Sequence, residues 1–279
     1  MQHVSFQLPH IKLAGLAFGD PDKPLILALH GWLDNAASFL PVADYLQDYY
    51  LVAIDFAGHG LSQHRSLDAH YHLLDFVHDL HELVLVQGWS DFILLGHSMG
   101  GIVGSLYASS FPEYVSRYIT MESFGPMTKT EASSAAQLRE SIESRIKIRD
   151  REPRHPESLE SVVRARVQAG DLAQASASLL VQRNLSEKDS QLYWLTDRRL
   201  RAISSLRVTD GQAQAFMQCI SCPVLAIEGS KGFDMMKTRM QERRSWVSHL
   251  KTVVCEGGHH LHMDNPQAVA RAILDFLAT

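Results

Sequence analysis

Short apolar runs alternate with segments of helical spacing along the first half of the chain. The run Leu25 to Leu29 is apolar on both faces, which is typical of a strand buried in the middle of a sheet. Apolar positions from Leu73 to Gln87 recur at helical spacing, and Gly88 follows as a helix-ending residue. Strands and helices that alternate this closely predict βαβ units and a mainly parallel sheet, an α/β fold.

The same patterns predict eight strands and three principal helices. The strands are Val4 to Leu8, Ile11 to Ala17, Leu25 to Leu29, Tyr50 to Ile54, Phe92 to Leu95, Tyr118 to Met121, Val224 to Ile227 and Thr252 to Val254. The helices are Leu73 to Gln87, Met99 to Ser110 and Gln267 to Leu277.

The pattern changes between residues 126 and 213. Charged helical segments such as Gln137 to Arg149 replace the strand-like runs there. Strand character returns at Val224. We therefore expect residues 1–125 and 214–279 to form the core, with residues 126–213 inserted as a helical cap.

Composition and charge narrow the functional classes. The 279 residues are 46% hydrophobic, enough for a sizeable core and unlike a disordered chain. Lys and Arg number 26 against 31 Asp and Glu, a net charge of −5, so no nucleic-acid partner is expected. No apolar stretch approaches the roughly 18 residues that cross a bilayer, and the N-terminus lacks a signal-peptide pattern, so no membrane partner is expected.

Three cysteines, Cys219, Cys222 and Cys255, form an odd and sparse set that suits a reducing compartment. Cys219 and Cys222 form a CxxC that precedes an apolar run instead of opening a helix, and no further metal ligands lie at suitable spacing. We interpret them as ordinary cysteines and expect a cytoplasmic protein.

The segment Gly96-His97-Ser98-Met99-Gly100 carries the first chemical signal. It follows a predicted strand directly and opens a predicted helix, which is the context of a nucleophile elbow. Glycines at both ends permit the sharp turn that exposes a serine hydroxyl. Ser98 is therefore the candidate nucleophile.

A serine hydroxyl needs a base and an oxyanion hole to act on a carbonyl. Gly257-Gly258-His259 lies between the last predicted strand and the last helix, and the Gly-Gly step favours His259 over its neighbours His260 and His262 as the base. The backbone N–H groups of Met99 and Trp32 are the candidate oxyanion donors.

Four motifs then resemble the α/β-hydrolase superfamily, in the family's order: LHGWLDNAASF, AIDFAGHGLS, LLGHSMGG and EGGHHLHMDNP. They cover the core from about residue 10 to the end, and they are most similar to the serine hydrolase-like proteins. The resemblance implies a mostly parallel eight-stranded sheet with flanking helices, a Ser-acid-His hydrolase that needs no cofactor or metal, and a cap that shapes the pocket. Relatives with dehalogenase or epoxide hydrolase activity use an aspartate nucleophile, and Ser98 argues against both.

The acid departs from the family's commonest pattern. Most relatives carry it in a Gly-x-x-Asp turn, but here Gly229 is followed at that position by Gly232, and Asp234 lies two residues further. Other relatives carry the carboxylate at the end of the preceding strand, where this chain has Glu122. We favour Glu122 because the carboxylate must reach the ring of His259, and Asp234 remains the alternative.

Other charged motifs have simpler interpretations. Asp55 precedes the nucleophile and is expected to order a loop. His78 and His81 are three residues apart, unlike the i, i+4 pair of a zinc helix, so a solvated helix face is expected. The run Arg145 to Arg154 alternates in charge sign and predicts an exposed helix.

These residues predict an esterase-type hydrolase that cleaves small hydrophobic esters through an acyl-enzyme on Ser98. Carbon-carbon bond hydrolysis by the same residues and a non-catalytic ligand-binding role are the alternatives. The expected partner is a small-molecule substrate, and a homodimer is compatible with the sequence.

Overall fold

The computed structural model describes residues 1–170 and 172–279 and contains an eight-stranded mixed sheet. Its strands are β1 Gln2–Gln7, β2 Lys12–Phe18, β3 Leu25–Leu29, β4 Tyr50–Asp55, β5 Phe92–His97, β6 Val115–Met121, β9 Val224–Gly229 and β10 Leu250–Cys255. All eight predicted strands are present, and their ends differ from the prediction by a few residues.

The strand order is β1-β2-β4-β3-β5-β6-β9-β10. β2 pairs antiparallel with β1 and with β4, and every other pair in the sheet is parallel. The apolar runs of β3 and β5 are buried because these strands lie in the middle of the sheet, with helices on both faces. The predicted α/β-hydrolase fold is confirmed.

Helices cover both faces of the sheet and enclose two hydrophobic clusters. One cluster packs β-sheet residues against α2 and α3, and the other packs them against α1, α9 and α10. The helices outside the 126–213 segment are α1 Leu40–Ala43, α2 Leu73–Gln87, α3 Met99–Ser110, α8 Asp234–Arg243, α9 Leu261–Asp264 and α10 Pro266–Leu277.

Residues 126–213, here called the cap segment, lie between β6 and β9. Its elements are α4 Ser134–Arg149, α5 Leu159–Ala169, α6 Gln174–Asn184 and a hairpin of β7 Leu185–Lys188 with β8 Gln191–Trp194. The hairpin was not predicted. At the end of the segment, α7 Asp210–Gln218 continues past residue 213 and packs Met217 against the main core, so the predicted boundary falls inside a helix.

The exposed helix predicted for Arg145 to Arg154 is wrong beyond Arg149, where α4 ends. Residues 150–156 have no helical structure, because Pro153 and Pro156 cannot supply the backbone N–H groups that would continue it. This irregular stretch leaves Arg151 and Arg154 on the wall of a cavity.

Buried carboxylates of the core form ion pairs with arginines of the cap segment. Arg183 of α6 binds the buried carboxylate of Asp55 at 2.8 Å, and Arg166 of α5 binds Asp34 at 2.5 Å. Asp55 also accepts the backbone N–H groups of Ala36 and Leu61, at 2.7 and 2.9 Å. Asp55 therefore orders the loops beneath the cap segment, as predicted.

In the described part of the chain, every helix is too short or too polar to span a bilayer. Cys219, Cys222 and Cys255 are free thiols. Cys222 and Cys255 are buried, and burial raises the pKa of both thiols, to about 11 for Cys222.

Candidate active site

Ser98 lies at the sharp turn between β5 and α3. Its backbone has φ 51° and ψ −115°, a region that non-glycine residues rarely adopt. The turn is tight enough that a Cβ on Gly96 would lie 2.5 Å from the Gly100 carbonyl oxygen, and one on Gly100 would overlap the Leu29 carbonyl oxygen. Gly96 is therefore required by the first turn of α3, and Gly100 by the close approach of α3 to β3. The turn presents Ser98 at the carboxyl end of the sheet.

Glu122 follows the neighbouring strand, β6, and is buried at 2% exposure. Its backbone also has a positive φ, 50°. One carboxylate oxygen accepts the Gly229 backbone N–H at 2.6 Å, and the other lies 3.3 Å from Nδ1 of His259. The structure therefore brings two of the predicted site residues together, with the carboxylate held by the end of β9.

Gly232 explains why the carboxylate comes from β6 in this chain. A Cβ on Gly232 would lie 2.5 Å from Oε2 of Glu122 and closer still to Oε1. The carboxylate thus occupies the space into which a side chain at position 232 would project. Asp234, the alternative acid, is 99% exposed at the first turn of α8, where its nearest cation is Lys237 at 3.7 Å. The structure does not bring Asp234 to His259.

The three neighbouring histidines point in different directions. His259 follows the turn at Gly257, which has φ 145°, and lies under the ring of Phe233 at a centroid distance of 4.6 Å. His260 turns inward to Oδ2 of Asp34 at 3.2 Å, and His262 is fully buried. Burial lowers the pKa of His262 to about 3.

No hydrogen bond joins the Ser98 hydroxyl to the His259 ring within residues 1–170 and 172–279. In sites without a bound substrate such contacts are often long and shorten only in the reacting complex. Both residues lie at the carboxyl end of the sheet, where the half-buried Ser98 and the 14%-exposed side chain of His259 remain accessible.

The turn Gly31–Asp34 carries the other predicted oxyanion donor. The turn closes with the Asp34 N–H donating to the Gly31 carbonyl at 3.1 Å, which leaves the Trp32 N–H outside that bond. Met99 is the first residue of α3, so its N–H has no acceptor within the helix. These two amides remain the candidate oxyanion donors.

His30 holds this turn in place. Its Nε2 accepts the Phe56 N–H at 3.0 Å, so Nδ1 carries the proton and donates to the Gly31 carbonyl at 2.7 Å. Burial lowers the pKa of His30 to about 4, which keeps the ring neutral in this tautomer.

His97 connects the Ser98 turn to the His259 loop. It is fully buried, and its Nε2 donates to the backbone carbonyl of His259 at 2.7 Å. Its Nδ1 therefore presents a lone pair, 3.8 Å from Oδ2 of Asp34. Burial lowers the pKa of His97 well below its usual range.

Asp34 is the centre of a buried network. It contacts Arg166 of the cap segment, and it lies beside His260 of the His259 loop and His97 of the Ser98 turn. Burial alone raises the pKa of Asp34, but His260 and Arg166 more than offset it and hold that pKa well below its ordinary value. One carboxylate thus lies beside three other parts of the site.

Two groups of side chains have the donor atoms for a metal ion: Asp34 with His97 and His260, and Asp79 with His10 and His78. In each group an arginine already binds the carboxylate, Arg166 to Asp34 at 2.5 Å and Arg65 to Asp79 at 2.6 Å. A divalent cation would have to displace that guanidinium, so both groups fit hydrogen-bonded networks better than metal centres.

The contacts of His78 and His81 in α2 also argue against a zinc site on that helix. His78 stacks on His10 at a centroid distance of 4.9 Å, whereas His81 stacks on Phe111 at 3.8 Å. The two histidines of the helix therefore have different neighbours.

Sequence reasoning missed Asp34, His97 and Phe233. Asp34 and His97 lie inside sequence motifs in which only the nearby Trp32 and Ser98 were assigned a role. No local pattern marks Phe233, because its contact with His259 depends on the path of the chain between β9 and α8.

Comparison with known proteins agrees with this architecture. The chain is 31% identical to serine hydrolase-like protein 2 of Homo sapiens, over 99% of this chain and 94% of that protein. The crystal structure of a hypothetical protein from Pseudomonas aeruginosa PAO1 is 37% identical, with a TM-score of 0.94 and all of both chains covered. The thioesterase domain from the curacin biosynthetic pathway shares the fold, with a TM-score of 0.85 and 24% identity over 98% of this chain and 99% of that one. Residues 24–266 match the family model described as the alpha/beta hydrolase fold, and the chain belongs to that family.

Proposed function

We propose that this protein is a serine hydrolase that cleaves small hydrophobic carboxylic esters through an acyl-enzyme on Ser98. In this proposal His259 is the general base, Glu122 orients its ring, and the N–H groups of Trp32 and Met99 form the oxyanion hole. The proposal includes a small-molecule substrate and a cytoplasmic location, which the odd and unpaired set of cysteines favours.

The contact between Glu122 and His259 carries the proposal. An ionised carboxylate accepts hydrogen bonds only, so at 3.3 Å it favours the tautomer in which Nδ1 of His259 carries the proton. The opposite nitrogen, Nε2, is then free to accept the proton of a serine hydroxyl. Gly229 fixes the carboxylate through its second oxygen, so the acid cannot turn away without losing that bond.

The reaction proceeds in two steps. His259 takes the Ser98 proton as Oγ attacks the ester carbonyl, and the negative charge develops on the carbonyl oxygen, beside the two amides. The protonated ring then donates to the departing alcohol, leaving an acyl group on Ser98. Water attacks this acyl-enzyme with His259 again as base, which releases the acid and restores the serine.

Labelling by a fluorophosphonate tests the nucleophile directly. We expect one phosphonyl group per chain, located on Ser98 by mass spectrometry, together with hydrolysis of 4-nitrophenyl acetate. The variant Ser98→Ala should lose both the label and turnover while keeping its unfolding temperature, because the change removes one half-buried hydroxyl.

The buried Ser105 of α3 provides a matched control, since its hydroxyl donates to the Ile102 carbonyl at 2.7 Å. Ser105→Ala should retain the label and the activity. Absence of a label on wild-type Ser98 in folded protein would instead favour a non-catalytic, ligand-binding role.

A further inference from the structure

A cavity of about 980 Å³ lies between the cap segment and the Gly31–Asp34 turn. Trp32 and Leu33 form its wall on the core side. Its other walls come from α5, α6, β8, the irregular stretch after α4 and the segment 196–201. Apolar side chains such as Val162, Leu180 and Val181 line part of it, as expected of a site for a small organic ligand.

The cavity is also rich in positive charge. Five arginines line it, against two acidic residues, Glu152 and Asp197. Asp197 is already bound by Arg199 at 2.7 Å and by the Tyr71 hydroxyl at 2.8 Å, so it does not neutralise the lining arginines. The cavity therefore has more cationic groups than anionic partners.

Two of these arginines lie beside the Gly31–Asp34 turn. Arg166 is already paired with Asp34 at 2.5 Å. Arg201 is exposed and follows Leu200, whose carbonyl accepts the indole N–H of Trp32 at 3.0 Å. Within residues 1–170 and 172–279, no carboxylate lies within 4.0 Å of its guanidinium. Partial burial, together with the nearby charge of Arg166, lowers the pKa of Arg201.

We propose that this cavity binds an anionic group of the substrate, so that the preferred ester carries a carboxylate or phosphate at the end remote from the reacting carbonyl. The inference rests on the proposed function. The substrate extends from Ser98 past Trp32, with its apolar part against Val162, Leu180 and Val181 and its anionic end on Arg201.

The chemistry of the guanidinium supports this choice of ligand. Arginine is charged at any physiological pH and matches carboxylate and phosphate oxygens with two parallel N–H donors. Its bonds to ionised acceptors are stronger than neutral hydrogen bonds, and more so where the site is partly closed to water. The preferred substrate is thus a hydrophobic ester that also carries a negative charge remote from the reacting carbonyl.

Two esters of equal acyl length test the proposal: 4-nitrophenyl pentanoate and the mono-4-nitrophenyl ester of glutarate. We expect wild-type kcat/KM to be at least about tenfold higher for the glutarate ester, through a lower KM. Added salt should reduce this preference, because it screens the ion pair and not the apolar contacts. A phosphate-terminated ester of similar length distinguishes the two kinds of anion.

Arg201→Gln should bring the two kcat/KM values to within about threefold of each other, through a higher KM for the glutarate ester. Arg164 provides the matched control, because it is exposed on α5 and does not line the cavity. Arg164→Gln should keep the wild-type preference.

Calorimetric titration with glutarate gives a readout that does not depend on turnover. Binding at one site, lost in Arg201→Gln, supports the inference even if Ser98 proves unreactive and the proposed function fails. Equal use of the two esters together with no glutarate binding overturns the inference, and hydrolysis of the pentanoate ester would then leave the proposed function standing.

Discussion

Replacing Glu122 by glutamine changes the acid without changing its size. The Gly229 N–H points at Oε1 from 2.6 Å, so an amide nitrogen at that position would set two donors against each other in a buried site. Leaving a buried donor unpaired costs about 1–3 kcal/mol. The glutamine therefore keeps its oxygen on Gly229 and turns its NH₂ group toward His259.

This orientation forces the wrong histidine tautomer. Facing an NH₂ donor, Nδ1 of His259 must accept, so the ring proton moves to Nε2. In the proposed mechanism, Nε2 is the nitrogen that receives the Ser98 proton. Loss of a triad carboxylate in this way lowers the rate by about a thousandfold or more. That factor corresponds to about 4 kcal/mol of transition-state stabilisation.

The assay is kcat/KM for 4-nitrophenyl esters, measured alongside the unfolding temperature. We expect Glu122→Gln to lose about a thousandfold in kcat with a cooperative unfolding transition retained. Asp234→Asn is the matched control, since Asp234 is 99% exposed and should change activity little. More than about a tenth of wild-type activity in Glu122→Gln would refute the role assigned to Glu122.

A second variant tests the same reasoning by restoring the acid from the loop that follows β9. The distance of 2.5 Å from a Cβ on Gly232 to Oε2 of Glu122 is close to the separation of Cβ and carboxylate oxygen within an aspartate. Adding Gly232→Asp to Glu122→Ala should therefore recover at least about tenfold in kcat over Glu122→Ala alone. A folded double variant with no recovery would show that position 232 does not reach His259.

Three further predictions concern the residues around the site. His97→Leu removes the donor to the His259 carbonyl and should lower kcat about tenfold with KM unchanged. His97→Gln keeps an N–H donor and should retain most of the activity. Equal losses in the two variants would contradict a positioning role for His97. Gly100→Ala should lower the unfolding temperature by several degrees because its Cβ overlaps the Leu29 carbonyl, and an unchanged temperature in calorimetry would contradict this. Burial lowers the pKa of His262 to about 3, against about 6.5 when unfolded, so the neutral ring contributes stability above pH 6.5 that is lost as the pH falls toward 3. Between pH 6.5 and 4, the unfolding free energy of His262→Phe should fall less steeply with decreasing pH than that of the wild type, by about 1.4 kcal/mol per pH unit. Denaturant titrations at each pH measure this dependence. The same dependence in both proteins would assign the acid sensitivity to other groups.

The sheet could be predicted from sequence because burial decides its pattern. Runs such as Leu25–Leu29 are apolar on both faces for a physical reason, since helices cover the sheet on both sides. The turn around Ser98 could also be located, because close backbone contacts require its glycines. Gly96 lies against the Gly100 carbonyl, and Gly100 lies against the Leu29 carbonyl of β3. A position that only glycine can occupy leaves a readable trace in the chain.

The cap segment was harder to predict because its elements are short and partly exposed. The hairpin of β7 and β8 has few buried residues, so no apolar run marks it. The alternating charges from Arg145 to Arg154 fit a helix, but the prolines after Arg149 end it. Because the helix ends there, Arg151 and Arg154 line the cavity. Their placement depends on how α5 and β8 pack beside them.

The acid shows how a relationship between distant residues can stay hidden in a sequence. Glu122 and Gly232 are unremarkable separately, one at a strand end and one in a loop. In the structure they form one arrangement, because the Glu122 carboxylate fits only where position 232 has no side chain. The Gly229 N–H then donates to this carboxylate at 2.6 Å. A glycine at position 232 is therefore what a carboxylate supplied from the end of β6 requires. The same contact explains why Gly232→Asp without a change at Glu122 should be damaging, since two carboxylates would compete for one buried space.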